Sequence, residues 1–517
     1  MPKILTVGNR GQGSMTDRAS AYLRTRTVLG RSIVKAAAEL GGRRVPLHWS
    51  NLFGVVAFAC VTVLFVSGFI LMFFYTPSGE LVTYRGSHAP LNGMEVSRAF
   101  DSTMAISFEV RGGLLLRQLH HWAALLLPAA IIMQLLVMFF TGGFRRPRRA
   151  SWVMLFLLLI VALAGGWSGY ALPDDMLSGS GLRIVQGIAQ GIPVIGTWIS
   201  MLLFGGEFPG LIIERLYPIH ILVVPVVQVL LLAGRAWWSY AHKPAQFAAP
   251  GRSEDNVVGV PLLPDAATRA AGLFAMVVGL LTVIAATVTI SPTWVYGPAD
   301  PGSASAGSQP DWYTGFLDGA LRLVPPHWEF EWFGYTWTLA VIVPLAVVGG
   351  FLVLVAVYPF IEGWIVRDRR DHHILDRPRN AAMRTAIGVA GMAFYGVLWG
   401  AASADIMATE FALSLESVIT GFQVMLLLGP AIAFQITHRV CLGLQRKDRE
   451  TVLHGYPTGR IVRLPGGEYV DVHEPLDQYE RWRLIAHRQP EPAPLPSGAS
   501  KTSDRMSQKA GPARLRH

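Results

Sequence analysis

Eight long apolar runs divide this 517-residue sequence: 52–75, 114–140, 151–172, 217–240, 268–290, 336–358, 382–404 and 417–440. At about 1.5 Å of rise per residue, each is long enough to cross a hydrocarbon layer of roughly 30 Å as a helix. Inside lipid every backbone N–H and C=O must find a partner within the protein, and an apolar run of this length does so as a helix. A transmembrane barrel would show short alternating segments instead. Overall composition agrees, with 52% hydrophobic residues, 15% charged residues and a mean hydropathy of +0.39. The expected fold is an all-α polytopic membrane protein with eight transmembrane helices.

The net charge of +10 would suggest nucleic acid for a soluble chain. Here the basic residues flank apolar spans, so they report membrane orientation and no nucleic-acid partner is expected. Loops 142–150, 241–267 and 359–381 hold 11 Lys/Arg in 59 residues, whereas loops 76–111, 173–216, 291–335 and 405–416 hold 6 in 137. The basic set faces the cytoplasm by the positive-inside rule. An even number of spans then leaves both termini cytoplasmic, in a multi-pass protein of the cell membrane. No compact signal-peptide pattern precedes Leu52, and residues 33–41 suit a short surface helix.

The long outer loops are semi-apolar and rich in Gly and Pro, as loops that cover a site or a partner surface often are. Residues 1–51 form a cytoplasmic segment, 441–489 a small appendage with short strands ("GRIVRLPGGEYVDVHEP"), and 490–517 a Pro-, Ser- and Lys/Arg-bearing tail expected to be disordered. The only cysteines are Cys60, inside the first run, and Cys441, just after the last. With no CxxCH or CxxC, any covalent c-type haem or iron–sulfur cluster belongs to a partner.

Two histidines, His120 and His220, lie near the outer ends of spans two and four. Ionisable residues at membrane depth are expensive and lean towards function. Two neutral imidazoles from facing helices suit a planar metal cofactor, above all haem; the alternative is a pair of hydrogen-bonded packing histidines. Gly68 on span one and Gly169 on span three sit at the same depth, where a missing side chain admits a flat ligand; plain helix packing is the alternative reading. Gly54 lies fourteen residues before Gly68, about 21 Å along the helix and on nearly the same face.

The stretches "FEVRGGLLLRQLHHWAALL", "GYALPDDMLSGSGLRI", "GIPVIGTWI", "FGGEFPG", "ERLYPIHIL", "NVVGV", "GSQPDWY", "HHILDRPR" and "CLGLQRKDR" occur in this order. Through them the chain, over roughly residues 30–480, resembles the cytochrome b subunit of actinobacterial-type quinol–cytochrome c reductases. The resemblance implies a haem-binding four-helix bundle within residues 52–240 and a second four-span part, 241–440, whose loop 291–335 carries the quinol site. It also implies two haems b. The outer, low-potential haem would have His120 and His220 as axial metal ligands, beside Gly68 and Gly169. His121 points about 100° away from His120, so the two cannot share one iron.

The inner ligands of the family map fourteen residues after His120 and fifteen after His220, onto Gln134 and Arg235. The inner glycine of span three maps onto Leu155; only Gly54 keeps the inner pattern. Glutamine is a poor haem ligand, and arginine keeps its proton and has no lone pair to offer. The chain therefore reads as a divergent copy with one haem b, at the outer site. The side chains of Leu155, Gln134 and Arg235 are expected to close the freed volume. A buried arginine there needs a partner, an anion or water. His242 and His438 are the candidates for substitute ligands.

Asp311 and Tyr313, in "PDWY", match the family's Pro-Glu-Trp-Tyr motif with Asp in place of Glu. They are the candidate catalytic pair: a carboxylate near the outer face can accept a proton from quinol. Pro173 and Asp174, at the exit of span three, are expected to form another wall of this site. In the family's mechanism one electron passes to a Rieske iron–sulfur subunit, and the other crosses through two haems to reduce an inner quinone. The resemblance further implies a c-type cytochrome subunit, a homodimeric complex, membrane lipid contacts and menaquinol as substrate. Two rival readings are a working two-haem subunit with substitute ligands and a non-catalytic membrane scaffold.

Overall fold

The structure, a computed structural model, describes residues 38–300 and 309–477, with positions 32, 35, 302, 480, 481 and 484 in addition. Among the described residues, eight helices are long and apolar enough to cross a membrane: Trp49–Leu71, Gly113–Phe140, Arg149–Ala171, Ile212–Ala241, Leu262–Thr287, Leu339–Val366, Ala382–Ala401 and Leu415–His454. They are numbered as spans one to eight. Each coincides with an apolar run in the sequence, and the chain is an all-α polytopic membrane protein.

The ends differ from expectation where local chemistry overrides hydropathy. Span eight continues to His454, so Cys441 lies within it. Residues 441–454 are polar but rich in helix formers, and the helix stops at Gly455, which takes a φ of +91°. Of the short helix expected at 33–41, the described residues 38–42 are helical.

Span one packs on span two, two on three, and three on four. Their shared core holds small residues, Ala57, Ala123, Ala130 and Ala162, among Leu127, Ile131, Leu155 and Leu158. Small side chains let helix backbones approach where lipid supplies no hydrophobic drive. The opposite faces carry exposed Phe69, Leu230, Met276, Leu354 and Leu427, as lipid-facing surfaces should. Trp152 Nε1 donates to the Val355 carbonyl at 3.0 Å, tying span three to span six.

Span four is not a uniform helix. Residues Ile212–Pro218 and Val224–Ala241 are α-helical, and Ile219–Val223 between them form a π-helical turn. Pro225 has no N–H to offer the Ile221 carbonyl, and its ring crowds that oxygen. A widened turn relieves both, and it carries His220. Such turns concentrate at functional positions.

The long loops 173–216 and 291–335 are more ordered than their glycine and proline content suggests. Loop 173–216 folds into helices Met176–Gln190 and Gly196–Phe204. The first of these starts with a capping box: Asp175 Oδ1 accepts from the Ser178 N–H at 2.8 Å, and Ser178 Oγ accepts from the Asp175 N–H at 3.1 Å. Loop 291–335 contains helix Gly315–Arg322 and an antiparallel hairpin, Glu329–Trp332 with Tyr335–Thr338.

Between spans six and seven Arg384 bridges Asp376 at 2.6 Å and Glu362 at 3.0 Å, and Arg145 also reaches Asp376 at 3.0 Å. Burial alone would raise the Asp376 carboxyl, but the two guanidiniums outweigh it and hold it below the ordinary range.

The described residues from Arg446, together with Ala248–Pro250, belong to a separate compact unit. It contains an antiparallel strand pair, Tyr456–Arg463 and Tyr469–Glu474, with an irregularity between Asp471 and His473. The tail expected from residue 490 lies outside the described residues.

Candidate functional site

His120 and His220 face one another from spans two and four, with ring centroids 6.0 Å apart and planes at 62°. Two imidazoles sharing one metal ion, at about 2 Å from each nitrogen, would put their ring centres roughly 6 Å apart. Their tautomers follow from their partners. His220 Nδ1 lies 3.0 Å from the Gly165 carbonyl, which can only accept, so Nδ1 carries the proton. Ser67 Oγ donates to the Val63 carbonyl at 2.6 Å and so accepts from His120 Nδ1 at 2.9 Å. Each ring is thereby oriented by a second hydrogen bond, and Nε2 remains as its lone-pair nitrogen.

The glycines serve the imidazoles directly. A Cβ on Gly68 would sit 3.0 Å from His120 Cε1, and one on Gly169 only 2.5 Å from His220 Cε1. Ser168 Oγ also lies 3.1 Å from His220 Nδ1. Hydropathy does not single out Ser67 or Ser168. The legible signal is the dipeptide Ser-Gly at the same level of spans one and three, Ser67-Gly68 and Ser168-Gly169.

The two histidines line a cavity of about 380 Å³ together with Arg117, His121, Asp311 and Tyr313. Arg117 Nη2 donates to the Ser291 carbonyl at 3.0 Å, while its Nε is buried without a hydrogen-bond partner. An orphaned guanidinium donor suits a carboxylate, and a haem carries two. Ring separation, tautomers and the Arg117 donor together fit a haem b at this level.

Asp311 and Tyr313 meet on the same cavity. The Tyr313 hydroxyl donates to Asp311 Oδ2 at 2.8 Å, and Tyr313 is 2% exposed. Burial first, and then the Asp311 carboxylate, push the phenol well above its ordinary value, so it stays protonated and keeps donating. The other carboxylate oxygen, Oδ1, lies 3.6 Å from His121 Nε2. His121 is therefore set apart from the His120 pair and set beside the acid. Trp312 Nε1 donates to the Leu125 carbonyl at 3.2 Å, and Trp399 Nε1 to the Trp312 carbonyl at 3.0 Å, which anchors the tetrapeptide to spans two and seven. The wall expected from Asp174 is supplied instead by Asp175, beside Pro173; Asp174 takes a φ of 51° in the turn before the capping box.

The inner level differs. Arg235 Nη1 donates to Gln134 Oε1 at 3.2 Å, and Arg235 Nε to Ser151 Oγ at 3.3 Å. The two positions that face each other here are in direct contact, with no gap between them. A Cβ on Gly54 would lie 3.2 Å from Gln134 Nε2, so Gly54 accommodates the glutamine. Leu155 is fully buried in the helix core. The volume at this level is nonetheless not closed, contrary to expectation: Gln134, Ser151 and Arg235 border a cavity of about 730 Å³. His242 lines it as well, its Nδ1 donating to the Trp238 carbonyl at 2.9 Å, while the His438 ring stacks on Phe434 at 5.9 Å.

Residues 125–298 match the family model described as cytochrome b (N-terminal)/b6/petB. Over 468 residues the chain is 46% identical to the cytochrome bc1 complex cytochrome b subunit of Streptomyces coelicolor, covering 90% of this chain and 86% of that protein. The chain belongs to the cytochrome b subunit family. The same subunit of Mycobacterium bovis is 44% identical, over 90% of this chain and 85% of its own length. The fold is also that of a solved chain titled hyperthermophilic respiratory Complex III, with a TM-score of 0.59 at 18% identity, covering 83% of this chain and 100% of that one.

The packing behind Tyr313 and Asp311 can be tested. A Cβ on Gly166 would overlap the Tyr313 ring, 2.7 Å from Cζ. Gly166→Ala is expected to displace Tyr313 and, through it, Asp311, cutting quinol-dependent haem reduction by about tenfold or more, as a misplacement of about 1 Å can, while the haem b spectrum persists. Stopped-flow spectroscopy with reduced quinone checks both readings.

Proposed function

We propose that the chain is the quinol-oxidising cytochrome b subunit of a bc1-type complex and carries one haem b, held by His120 and His220 at the outer level. The observation that carries this reading is the contrast between two levels of one bundle. The outer pair of rings stands 6.0 Å apart, whereas Arg235 and Gln134 are joined by a hydrogen bond of 3.2 Å and offer no imidazole. A haem b held at the outer level supplies a one-electron acceptor.

The chain's own residues handle the protons. Quinol gives up two protons with its two electrons; Asp311 accepts one from a quinol hydroxyl. The Tyr313 hydroxyl fixes the carboxylate rotamer from the opposite oxygen. His121 takes up the proton next, from the side away from Tyr313. With aspartate in place of the longer glutamate, an imidazole beside the carboxylate restores the reach of the missing methylene. Without an inner ligand pair, electron transfer across the roughly 21 Å from the outer level to the inner level is impaired, so the activity is confined to the outer site.

The relatives' names support assembly into a bc1 complex. The resemblance of the sequence motifs adds to this reading a Rieske iron–sulfur subunit, a c-type cytochrome, a homodimeric complex and menaquinol as substrate. The basic loops support cytoplasmic termini. Residues 52–240 then form the haem-bearing part and 241–440 the part bearing the quinol loop.

The test is haem stoichiometry. A purified complex containing this chain is expected to give one haem b per copy by pyridine haemochrome assay, after correction for c-type haem, and one haem b midpoint in a redox titration. Two per copy with two midpoints would return the chain to the two-haem class, and none would make it a scaffold.

A further inference from the structure

The cavity of about 730 Å³ opens at the inner ends of spans one to five, away from the His120–His220 level. Five basic side chains line it: Arg148, Arg235, Lys243, Arg252 and Arg269. No Asp or Glu does. Among the described residues, none of the five has a carboxylate partner. Their hydrogen bonds go to neutral acceptors. Arg148 donates to the carbonyls of Gly143 and His372, Arg235 to Gln134 and Ser151, Lys243 to the Asp255 carbonyl and Arg252 to the Phe247 carbonyl. Glu254, close in sequence, is taken up by the backbone N–H groups of His373 and Ile374.

Five like charges around one cavity repel each other, and partly buried ones do so with little screening. Glu254 and Asp371 act on Arg148 through space, but neither lines the cavity, Glu254 is held by backbone N–H groups and Asp371 pairs with Arg146. Arg148 adds a second and separate observation: its Nη1 is buried without any hydrogen-bond partner, in a guanidinium whose other two nitrogens are satisfied. Both deficits are met by one kind of ligand, a multivalent oxyanion that accepts from several donors. A neutral quinone would meet neither.

We propose that this inner cavity is a phosphate-binding site. The phosphate has two possible sources, an anionic phospholipid headgroup or free phosphate, and the cation set recognises the group they share. The walls between the cations include Leu52, Val55 and Leu273, which suit acyl chains. The proposal rests on the cavity's charges and is independent of the haem count.

The test uses the intact complex in neutral detergent. After delipidation, it is reloaded with phosphatidylglycerol or with phosphatidylcholine and analysed by native mass spectrometry; inorganic phosphate is titrated separately by calorimetry. Retention of phosphatidylglycerol well above phosphatidylcholine assigns the phosphate to lipid. Binding of inorganic phosphate without retention of phosphatidylglycerol assigns it to the free ion. In either case the double variant Lys243→Gln/Arg269→Gln, which alters two exposed side chains, is expected to weaken binding roughly 30-fold with an unchanged haem b spectrum. Arg252→Gln is expected to act in the same direction. Equal retention of the two lipids with no binding of inorganic phosphate overturns the proposal, as does binding that neither variant alters.

Discussion

Replacing His120 or His220 with alanine is expected to abolish the bis-histidine haem b spectrum, whereas His121→Ala leaves it in place. Each of the first two changes removes one of two axial nitrogens, and the remaining ring has no partner across the 6.0 Å between ring centres. His121 belongs to another face of the same helix: its Nε2 lies 3.6 Å from the Asp311 carboxylate. Reduced-minus-oxidised spectra of the three variants check this directly. Should His121→Ala by itself remove the haem, the ligand assignment fails. The support around the ligands makes a finer version of the same test. Gly169→Ala would place a Cβ 2.5 Å from His220 Cε1, too close to coexist with the present ring position, so it should mimic the loss of His220 without touching a ligand.

The second large effect is expected at Asp311. Asp311→Asn keeps the shape and one hydrogen-bonding oxygen but removes the proton acceptor. Loss of a positioned general base typically costs about 10²–10⁴ in rate, so quinol-dependent haem reduction should fall by that order with haem b retained. The Tyr313 hydroxyl, 2.8 Å from the carboxylate, can still donate to the amide oxygen, which keeps the substituted side chain in place and makes the loss attributable to chemistry. His121→Ala should give a smaller loss, since it leaves the first acceptor intact. An Asp311→Asn rate equal to wild type across a range of pH would exclude the carboxylate from the reaction.

The eight spans and their order were readable from the sequence because lipid imposes a local rule: each crossing segment must satisfy its own backbone and present an apolar surface over a fixed length. Helical rise is equally local, so the shared level of Gly68, His120, Gly169 and His220 follows from residue spacing alone, as does the equivalent inner level of Gln134 and Arg235. Even the π-helical turn at His220 has a local cause, in Pro225.

What tertiary structure decided are pairings between residues far apart in the chain, which no periodicity encodes. Tyr313 packs on Gly166, His121 turns to Asp311, Ser67 and Ser168 hold the ring nitrogens, and Asp175 takes the place expected of Asp174. At the inner level Gln134, Leu155 and Arg235 were legible one by one. Their consequence was not. Whether they would fill the space depends on how five helix ends splay, and the splay leaves Arg235 bonded to Gln134 beside a wide, cationic cavity. Hydropathy counts those arginines and lysine as ordinary inner-face charges. Only the packed helices show that they converge on one volume whose lining holds no carboxylate.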